Sequence, residues 1–576
     1  FEKLNEDQLR AVKADQGPTL VLAGPGTGKT TVITYRTIYL LQKLKINPCR
    51  LIILTFTNKA AEEMQKRIKK YTKLNLPYIG TFHSVIIKLL KEIAPVKTSQ
   101  YYIGNKINIL DEEDKIEIIK HILSIYKTKI SPLIIANIIS TIKNHKPIQI
   151  KEETQKIIEY YNHFIRKSNL LDFDDILLCI NNIFTENRKI KEKIRSKFDF
   201  VIVDEYQDIN VTQFEFLIHL TEDKGNIFVV GDDDQSIYGF RNSEVRIMLD
   251  FPKYFPQARI INLTYNYRSA QKILNTYTKL IKYNSKRFDK NLKAVSKQEG
   301  LVNIKIFTSE EAEYNYVSQK IMEIKKNYPY KLIAILVRTN EIGKEFEKNL
   351  ISKGINVKFL GGYDFFERKE IKDILAFLRF INNPKDSLNF TRILKSFFNI
   401  KNKQLKKILQ ELEENEPLTV IENYDYTIYQ QIQNLIQFAL QNNLLDILQE
   451  VSSLYNKSDN QIIKSFLNFC EKVSINYDIK DLDSFLNYIT LIRTSRENRI
   501  EDSNKVWIMT MHTSKGLEFD IVFIVRVKQG VIPHHRVSEE EKEEERRLMY
   551  VAMSRAKEEL YITSTVPPSE FIINIS

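Results

Sequence analysis

The chain has 576 residues, too many for a single hydrophobic core, so several domains are expected. Hydrophobic residues make up 43% of the chain, but they occur in short, interrupted stretches, which excludes membrane-spanning segments. The net charge of +13 has two interpretations, a polyanionic partner or merely an Ile-, Lys- and Asn-rich composition, and charge alone does not separate them.

Short apolar strands and helices alternate at the start of the chain. We predict strands at Thr19–Ala23, Leu51–Thr55 and Ile79–Phe82. A turn at Gly24–Gly28 follows the first strand, and a helix then runs from Lys29 to about Lys43. This alternation is typical of a parallel sheet.

A helical stretch then interrupts the alternation. From about Ser84 to Ser196 the hydrophobic period is that of helices, with no convincing strand. Strands return at Phe200–Val203 and Ile227–Val230. These segments predict one parallel sheet that carries a helical insertion of roughly 90–110 residues.

The second half of the chain repeats this plan. Its predicted elements are strands at Val302–Phe307, Leu332–Val337 and Val357–Leu360, a helical stretch over roughly 384–497, and strands at Val506–Met511, Ile521–Val525 and Leu560–Thr563. The charge-dense run Glu539–Arg547 is typical of a solvated helix face. We therefore predict an α/β fold with two parallel-sheet domains, each with a mostly α-helical inserted subdomain.

A phosphate-binding loop is predicted between the first strand and the first helix. In Ala23–Thr30 the glycines let backbone N–H groups surround a phosphate, and the helix N-terminus adds favourable dipole charge. Lys29 is expected to reach the β- and γ-phosphates, and Thr30 to ligate Mg²⁺. The strict pattern has glycine where Ala23 stands, so the alternative is a chance glycine-rich turn.

Two adjacent carboxylates end the strand Val201–Val203. Asp204 is expected to hold Mg²⁺ through water, and Glu205 to polarise the attacking water. The alternative is a solvated acidic strand end, which the presence of a phosphate-binding loop makes less attractive.

These segments resemble, in order, the motifs of the UvrD/Rep/PcrA family of superfamily 1 helicases. The further resembling segments are Leu4–Gln8 (adenine-reading Q motif), Phe56–Ala61 (motif Ia), Gly80–Ser84 (Ib), Asp172–Asp175, Asp204–Asp208 (II), Gly231–Tyr238 (III), Asn266–Ser269 (IV), Gly361–Asp373, His512–Phe519 (V) and Glu544–Ala556 (VI). One such motif alone is weak evidence, whereas the ordered set is very specific.

The resemblance implies two RecA-like domains with helical inserts. The expected division is 1–83 and 172–262 for domain 1A, 84–171 for insert 1B, 263–383 and 498–576 for domain 2A, and 384–497 for a reduced insert 2B. In this family ATP lies between the two α/β domains.

The resemblance also implies the nucleotide-binding residues. Gln8 would contact the adenine edge, Tyr267 its face and Glu518 the ribose, while Gln235 would sense the γ-phosphate. Arg268 and Arg555 would approach that phosphate from the second domain, where a cation contributes about 10³–10⁵ in rate; the alternative for any single arginine is a surface ion pair. The remaining expected nucleotide contacts are Ala23, Gly24, Pro25, Gly26, Thr27, Gly28, Lys29, Thr30 and Thr31.

Aromatic residues are the expected DNA contacts. By resemblance, Tyr238 and Phe240 would stack on bases, with Phe56 and Phe173 as partners, although such residues taken singly are often core. Phe240 stands where the family often has Trp, and Gly239 where a larger residue is usual. The other expected DNA contacts are Thr57, Asn58, Thr81, His83, Arg241 and His512.

Two departures from the family pattern concern the second insert and the C-terminus. Lys395–Asn402 contains no glycine, whereas the family often carries an Arg-Gly or Gly-rich turn there that contacts duplex DNA. This leaves duplex engagement by the insert open but does not affect translocation on a single strand. The chain stops shortly after Phe571, so we expect no long C-terminal extension.

The cysteines and the N-terminus bear on location. Cys49, Cys179 and Cys470 form no CxxC pair, which predicts neither a zinc site nor a disulfide framework and fits a reducing cytoplasm. Phe1–Asn5 shows no signal-peptide pattern and lacks an initiator Met, so we expect a trimmed chain. The expected location is cytoplasmic, in a bacterial or phage-like setting, with nucleoid association.

The leading hypothesis is an ATP-dependent 3′–5′ DNA helicase and single-stranded DNA translocase in repair, replication or recombination. It implies ATP and Mg²⁺ as cofactors, single-stranded and tailed or forked duplex DNA as partners, and a monomer or weak dimer. A second hypothesis is a motor that does not unwind alone but displaces proteins or drives a partner nuclease. Intact Lys29, Glu205 and Arg555 argue against a third, a DNA-binding regulator without ATPase activity.

Overall fold

The computed structural model describes the whole chain except residues 1, 105, 223–224, 361–365, 367, 413, 456–460, 495–501, 536 and 576. The start of the family block at Gly361-Gly362 therefore lies outside the described residues. The strands are β1 Thr19–Ala23, β2 Leu51–Thr55, β3 Ile79–Thr81, β4 Val96–Lys97, β5 Tyr102–Ile103, β6 Phe200–Val203, β7 Ile227–Gly231, β8 Arg259–Leu263, β9 Tyr265–Asn266, β10 Lys293–Ala294, β11 Leu301–Phe307, β12 Ile333–Val337, β13 Val357–Leu360, β14 Val506–Thr510, β15 Phe519–Ile524 and β16 Ala556–Thr565.

Helices connect these strands and make up the two insertions. They are α1 Glu6–Val12, α2 Lys29–Gln42, α3 Asn58–Thr72, α4 Phe82–Ile93, α5 Glu112–Ile125, α6 Pro132–Lys143, α7 Glu152–Lys167, α8 Phe173–Glu186, α9 Arg188–Lys197, α10 Val211–Thr221, α11 Val245–Leu249, α12 Phe251–Tyr254, α13 Gln271–Ile281, α14 Glu310–Asn327, α15 Asn340–Ser352, α16 Lys369–Asn382, α17 Ser387–Ser396, α18 Asn402–Glu411, α19 Pro417–Tyr424, α20 Tyr426–Gln441, α21 Leu444–Leu454, α22 Gln461–Tyr477, α23 Leu482–Thr494, α24 Glu539–Met553 and α25 Glu570–Ile575. None of the helices in the described part of the chain is both long enough and apolar enough to cross a bilayer.

The first sheet consists of six parallel strands in the order β3-β2-β6-β7-β1-β8. The predicted strands Thr19–Ala23 and Leu51–Thr55 are confirmed at both ends. The edge strand β8 was not predicted, because exposed residues interrupt its apolar pattern. Because β1 and β6 are parallel and only β7 lies between them, the phosphate-binding loop and the carboxylates that follow β6 emerge near each other at the carboxyl ends of the strands.

The second sheet is also six-stranded and parallel, in the order β11-β16-β15-β12-β14-β13. Its central strand β12 is buried on both faces: Ala334 and Leu336 pack into one apolar cluster, and Ile333 and Ile335 into the other. Burial on both faces explains the continuous apolar run that predicted this strand. The expected fold class, α/β with two parallel sheets and helical insertions, is confirmed.

The described chain divides into two compact units. Both sheets belong to residues 1–82, 193–362 and 497–576, whereas residues 83–192 and 363–496 form a second, mostly helical unit. The domain boundaries given above stay predictions. The expectation of no strand in 84–196 is wrong in one detail, because β4 and β5 form a short antiparallel hairpin. Strands of two residues are too short to show a hydrophobic period in the sequence.

The glycine-free segment of the second insert is a turn between α17 and α18. Asn399 adopts the left-handed conformation, with φ +53°, which asparagine tolerates better than most non-glycine residues. Phe397 and Phe398 pack against the apolar cluster of their own unit. In this chain, therefore, aromatic residues anchor a turn for which the family often uses glycine.

Candidate nucleotide-binding and DNA-binding site

The phosphate-binding loop has the local geometry that the sequence predicts. Gly28 caps α2 with φ +89°, and a Cβ there would lie 2.7 Å from Gln8 Nε2, so conformation and space both require glycine. Lys29 Nζ donates to the Ala23 carbonyl at 2.8 Å. Burial lowers the pKa of Lys29, opposed first by Glu205 and then by Asp232. The loop therefore places the Lys29 amine near the carboxylates of Glu205 and Asp232.

Gln8 lies against the same loop. Its Nε2 donates to the Thr27 carbonyl at 3.0 Å, and its backbone N–H donates to Asn5 Oδ1 at 2.8 Å in a capping box at the start of α1. Asn5 Nδ2 in turn donates to the Tyr267 hydroxyl at 2.7 Å. Half of the Tyr267 surface remains exposed, so its ring face is available for stacking beside Gln8.

The two carboxylates after β6 have different electrostatic environments. Burial, and next the neighbouring Glu205, raises the pKa of Asp204 to about 7. Burial also opposes ionisation of Glu205, but Lys29 and Lys515 outweigh it and lower the pKa of Glu205. Glu205 itself has φ +50°, a conformation that is uncommon outside glycine and is concentrated at functional sites. Glu205 is therefore the ionised member of the pair at neutral pH.

Asp204 and Thr30 fit a magnesium site. A carboxylate whose pKa is raised by burial, and next by a like charge, is stabilised in its ionised form by a divalent cation. Thr30 follows Lys29 at the start of α2 and supplies a hydroxyl oxygen. Mg²⁺ commonly takes one or two such protein oxygens and completes its shell with substrate phosphates and water.

Arg555 lies two residues after the last residue of α24, and its guanidinium is buried. Only 1% of its surface is exposed, and among the described residues it forms no ion pair. Its Nε donates to the Val551 carbonyl at 2.9 Å, and its Nη2 donates to Gln235 Oε1 at 3.3 Å. Burial, with Arg268 nearby, lowers the pKa of Arg555 to about 9, which leaves it charged at neutral pH. A buried cation without a carboxylate is costly and is suited to a bound anion.

Arg268 lies directly against the phosphate-binding loop. A Cβ added to Gly26 would lie 2.6 Å from the Arg268 Cβ. The segment is held there by Tyr267, whose backbone N–H donates to the Gly26 carbonyl at 2.9 Å, and by Asn266 Nδ2, which donates to the Pro25 carbonyl at 2.6 Å. Arg268 Nε donates to Glu518 Oε2 at 3.0 Å. Residues from the part of the chain that carries the second sheet thus converge on the loop of the first.

A group of aromatic rings forms around Tyr238 and Phe240, which follow Gln235 closely in sequence. Phe56 and Tyr238 stack with centroids 4.9 Å apart, and Phe240 meets His512 edge to face at 5.4 Å. The Arg241 guanidinium lies 5.7 Å from the Phe240 ring centroid. Phe240 is 62% exposed, so the alternative that it is a core residue is wrong. Burial lowers the pKa of His512 to about 4, so it is neutral at physiological pH.

Gly239 is explained by a neighbouring carboxylate. Its backbone N–H donates to Glu544 Oε1 at 3.0 Å, and a Cβ at this position would lie only 2.2 Å from Glu544 Oε2. The absence of a side chain therefore lets α24 approach the aromatic pair Tyr238 and Phe240.

The other expected DNA contacts belong to several separate elements of the fold. Thr57 uses its hydroxyl to cap α3, accepting from the Ala60 N–H at 3.1 Å, while Asn58 begins that helix and Thr81 ends β3. His83 and Phe173 belong to the helical unit, where their rings meet edge to face at 5.3 Å. Within that unit the structure therefore brings His83 and Phe173 together.

Lys515 was not among the predicted site residues, but the structure places it in the site. Its Nζ donates to the Asp208 carboxylate and to the Gln235 carbonyl, the latter at 2.7 Å, and lies 4.8 Å from the Tyr238 ring centroid. The residue stands inside the segment His512–Phe519, so its position in a motif was the available signal. Lys515 connects the carboxylate loop after β6 with the aromatic group.

Comparisons with known proteins agree with this geometry. The chain matches the UvrD/REP helicase N-terminal domain family over residues 4–256 and the UvrD-like helicase C-terminal domain family over residues 261–566. It is 33% identical to the ATP-dependent DNA helicase PcrA of Bacillus subtilis (strain 168), over 97% of this chain and 82% of that protein.

Two further relatives extend the comparison. The chain is 34% identical to a probable DNA helicase II homolog of Mycoplasma capricolum, over 99% of this chain and 87% of that protein. It is 32% identical to the ATP-dependent DNA helicase PcrA of Staphylococcus aureus (strain Mu50), over 97% of this chain and 83% of that protein. With two RecA-like parallel-sheet domains and helical inserts, the chain belongs to the UvrD/REP helicase family.

Proposed function

We propose that this protein is an ATP-dependent DNA helicase that translocates along single-stranded DNA in the 3′–5′ direction, in repair, replication or recombination. The observation that carries the proposal is the convergence of Arg268 and Arg555 on the phosphate-binding loop and Gln235. The relatives named as ATP-dependent DNA helicases support the substrate, and the family resemblance supports the polarity.

Hydrolysis would follow from the charges around the loop. Lys29 binds the β- and γ-phosphates, and Arg268 and Arg555 meet the γ-phosphate from the opposite side. Glu205, ionised because Lys29 and Lys515 lower its pKa, accepts the proton of the attacking water. Bound Mg²⁺, held by Thr30 and Asp204, would neutralise phosphate charge.

Coupling to DNA would run through Gln235. Its side-chain oxygen accepts from Arg555, and its backbone carbonyl accepts from Lys515, which lies over Tyr238. A change at the γ-phosphate that moves Arg555 therefore reaches the aromatic group through three successive contacts. Cleft closure that depends on the γ-phosphate is lost on hydrolysis, which supplies the cycle of a motor.

A motor that does not unwind alone is the second candidate. The glycine-free turn supports it, because the family often contacts duplex DNA through a glycine-rich turn there, whereas here Phe397 and Phe398 pack against the apolar cluster of their own unit. Such a protein would displace other proteins from DNA or drive a partner nuclease.

ATPase and unwinding assays on the purified chain separate the two candidates. For the helicase we expect oligonucleotide-stimulated ATPase and unwinding of a 3′-tailed but not a 5′-tailed duplex. Lys29→Ala is the negative control, because removing the phosphate-binding amine should abolish both activities. Stimulated ATPase without unwinding favours the second candidate, and ATPase indifferent to DNA contradicts both.

Phe240→Ala should weaken single-stranded DNA binding by about 1–3 kcal/mol, the typical contribution of one base-stacking ring. The fold should survive, since the ring is 62% exposed. Fluorescence anisotropy with a labelled oligonucleotide measures the affinity. Tyr330→Ala, which removes a ring that is 66% exposed elsewhere, is the matched control. Equal affinity of the two variants would exclude Phe240 from the DNA site.

A further inference from the structure

Three consecutive buried carboxylates follow β7, and one lysine contacts all of them. Lys290 Nζ lies 2.6 Å from Asp232 Oδ1, 2.5 Å from Asp233 Oδ1 and 2.8 Å from Asp234 Oδ2. The Lys290 side chain is only 4% exposed. Arg287 adds two hydrogen bonds to Asp234, at 2.9 and 2.7 Å. Since an unpaired buried charge is strongly destabilising, this cluster depends on its two cations.

The first of these carboxylates orients Gln235. Asp232 gives one oxygen to Lys290, and its other oxygen accepts from Gln235 Nε2 at 2.7 Å. A side-chain amide whose nitrogen is held in this way must present its oxygen on the opposite side. That oxygen is the one that accepts from Arg555.

The same aspartate is also connected to the catalytic carboxylate. The backbone N–H of Asp232 donates to Gln207 Oε1 at 2.9 Å, and Gln207 Nε2 donates to Glu205. Displacement of Asp232 would therefore disturb both Gln235 and Glu205.

Lys290 is itself fixed to the segment that carries Arg268. It lies three residues before β10, which pairs with β9, and β9 ends immediately before Tyr267 and Arg268. Lys290 thus connects the β9–β10 strand pair, which precedes Arg268, to Asp232. Asp232 in turn orients Gln235, the hydrogen-bond partner of Arg555.

We propose that Lys290 is a positioning residue for ATP hydrolysis, which holds Asp232 so that Gln235 presents its side-chain oxygen to Arg555. The inference rests on the proposed function, because it takes Gln235 as the sensor of the γ-phosphate. Lys290 lies outside every motif that the sequence analysis identified. Its effect is on kcat and on the distinction between ATP and ADP, and it does not itself contact the nucleotide.

The test compares Lys290→Met with wild type in DNA-stimulated ATPase and in binding of fluorescent ADP and of a non-hydrolysable ATP analogue. We expect kcat to fall about 10–100-fold, the range typical of residues that orient a catalytic group. The preference for the analogue over ADP should shrink, while ADP affinity stays within about twofold of wild type, since Lys290 acts only through the γ-phosphate sensor. Lys286→Met, which removes an exposed lysine nearby, should change neither quantity.

A double variant separates positioning from charge balance. Lys290→Met/Asp233→Asn removes one charge of each sign, so it should regain thermal stability, yet it still lacks the contact to Asp232 and should keep the low kcat. It carries the same test if the single variant does not fold. Wild-type kcat in either variant that folds overturns the inference.

The variant Gln235→Ala distinguishes a failure of the inference about Lys290 from a failure of the proposed role of Gln235. If it loses the preference for the analogue while Lys290→Met behaves as wild type, the inference alone fails. If Gln235→Ala keeps the preference, the proposed role of Gln235 fails and the inference fails with it.

Discussion

Replacing Arg555 by alanine is expected to lower the rate of ATP hydrolysis by about 10³-fold while nucleotide affinity stays near normal. The buried guanidinium has no carboxylate partner among the described residues, so its charge is available for a phosphate. Charge on the transferred phosphoryl group grows towards the transition state, and the loss therefore falls on kcat more than on binding. Single-turnover hydrolysis and titration with a fluorescent nucleotide measure the two quantities.

Two control variants sharpen this result. Arg555→Lys keeps a positive charge but loses the planar fork that donates at once to Val551 and Gln235, so we expect only partial recovery. Arg246→Ala removes an exposed arginine and should leave hydrolysis unchanged. Turnover by Arg555→Ala at the wild-type rate would remove Arg555 from the site.

Local sequence was sufficient to predict the phosphate-binding loop and the carboxylates. The loop consists of contiguous residues between a strand and a helix. Its conformation depends on glycines such as Gly28, whose spacing is visible in the sequence itself. Asp204 and Glu205 likewise follow directly from the end of an apolar strand. Such features are predictable because the interactions that define them connect residues that are close in sequence.

The contacts between the two halves were not predictable from residue patterns. Arg555 and Gln235 are separated by 320 positions in the chain, and only the resemblance to a family placed them in one site. Lys290 and Asp232 are 58 positions apart, and no motif marks the lysine. A single lysine in a lysine-rich chain gives no periodic or compositional signal that distinguishes a buried partner from a solvated one.

Some elements of the fold were missed for a related reason. The edge strand β8 has alternating exposure and no continuous apolar run, and the hairpin of β4 and β5 has too few residues for any period. By contrast, β12 is buried on both faces and was predicted to within one residue of its start. Sequence patterns thus predicted the fully buried β12 and also the edge strands β3, β11 and β13, but they missed the edge strand β8 and the two-residue strands of the hairpin.

Glu205→Gln is expected to lower kcat by about 10²–10⁴-fold, because the amide keeps the shape of the side chain but cannot accept the proton of the attacking water. Gln207 would still lie beside the substituted side chain, so local structure should persist. Nucleotide binding should remain, since Lys29 and the two arginines are unaltered. Steady-state ATPase with saturating single-stranded DNA measures the loss, and a fall of less than tenfold would show that another group takes the proton.

Magnesium affinity provides the second measurement on this variant, and its sign follows from the carboxylate pair. After burial, the charge of Glu205 is the largest cause that raises the pKa of Asp204 to about 7. Removing that charge leaves Asp204 more readily ionised at neutral pH, so Mg²⁺-dependent binding of ATP should be maintained or strengthened in Glu205→Gln. Asp204→Asn should instead weaken it. Equal loss of Mg²⁺ dependence in both variants would contradict the assignment of Asp204 as the metal ligand and Glu205 as the base, because it would make Glu205 a metal ligand as well.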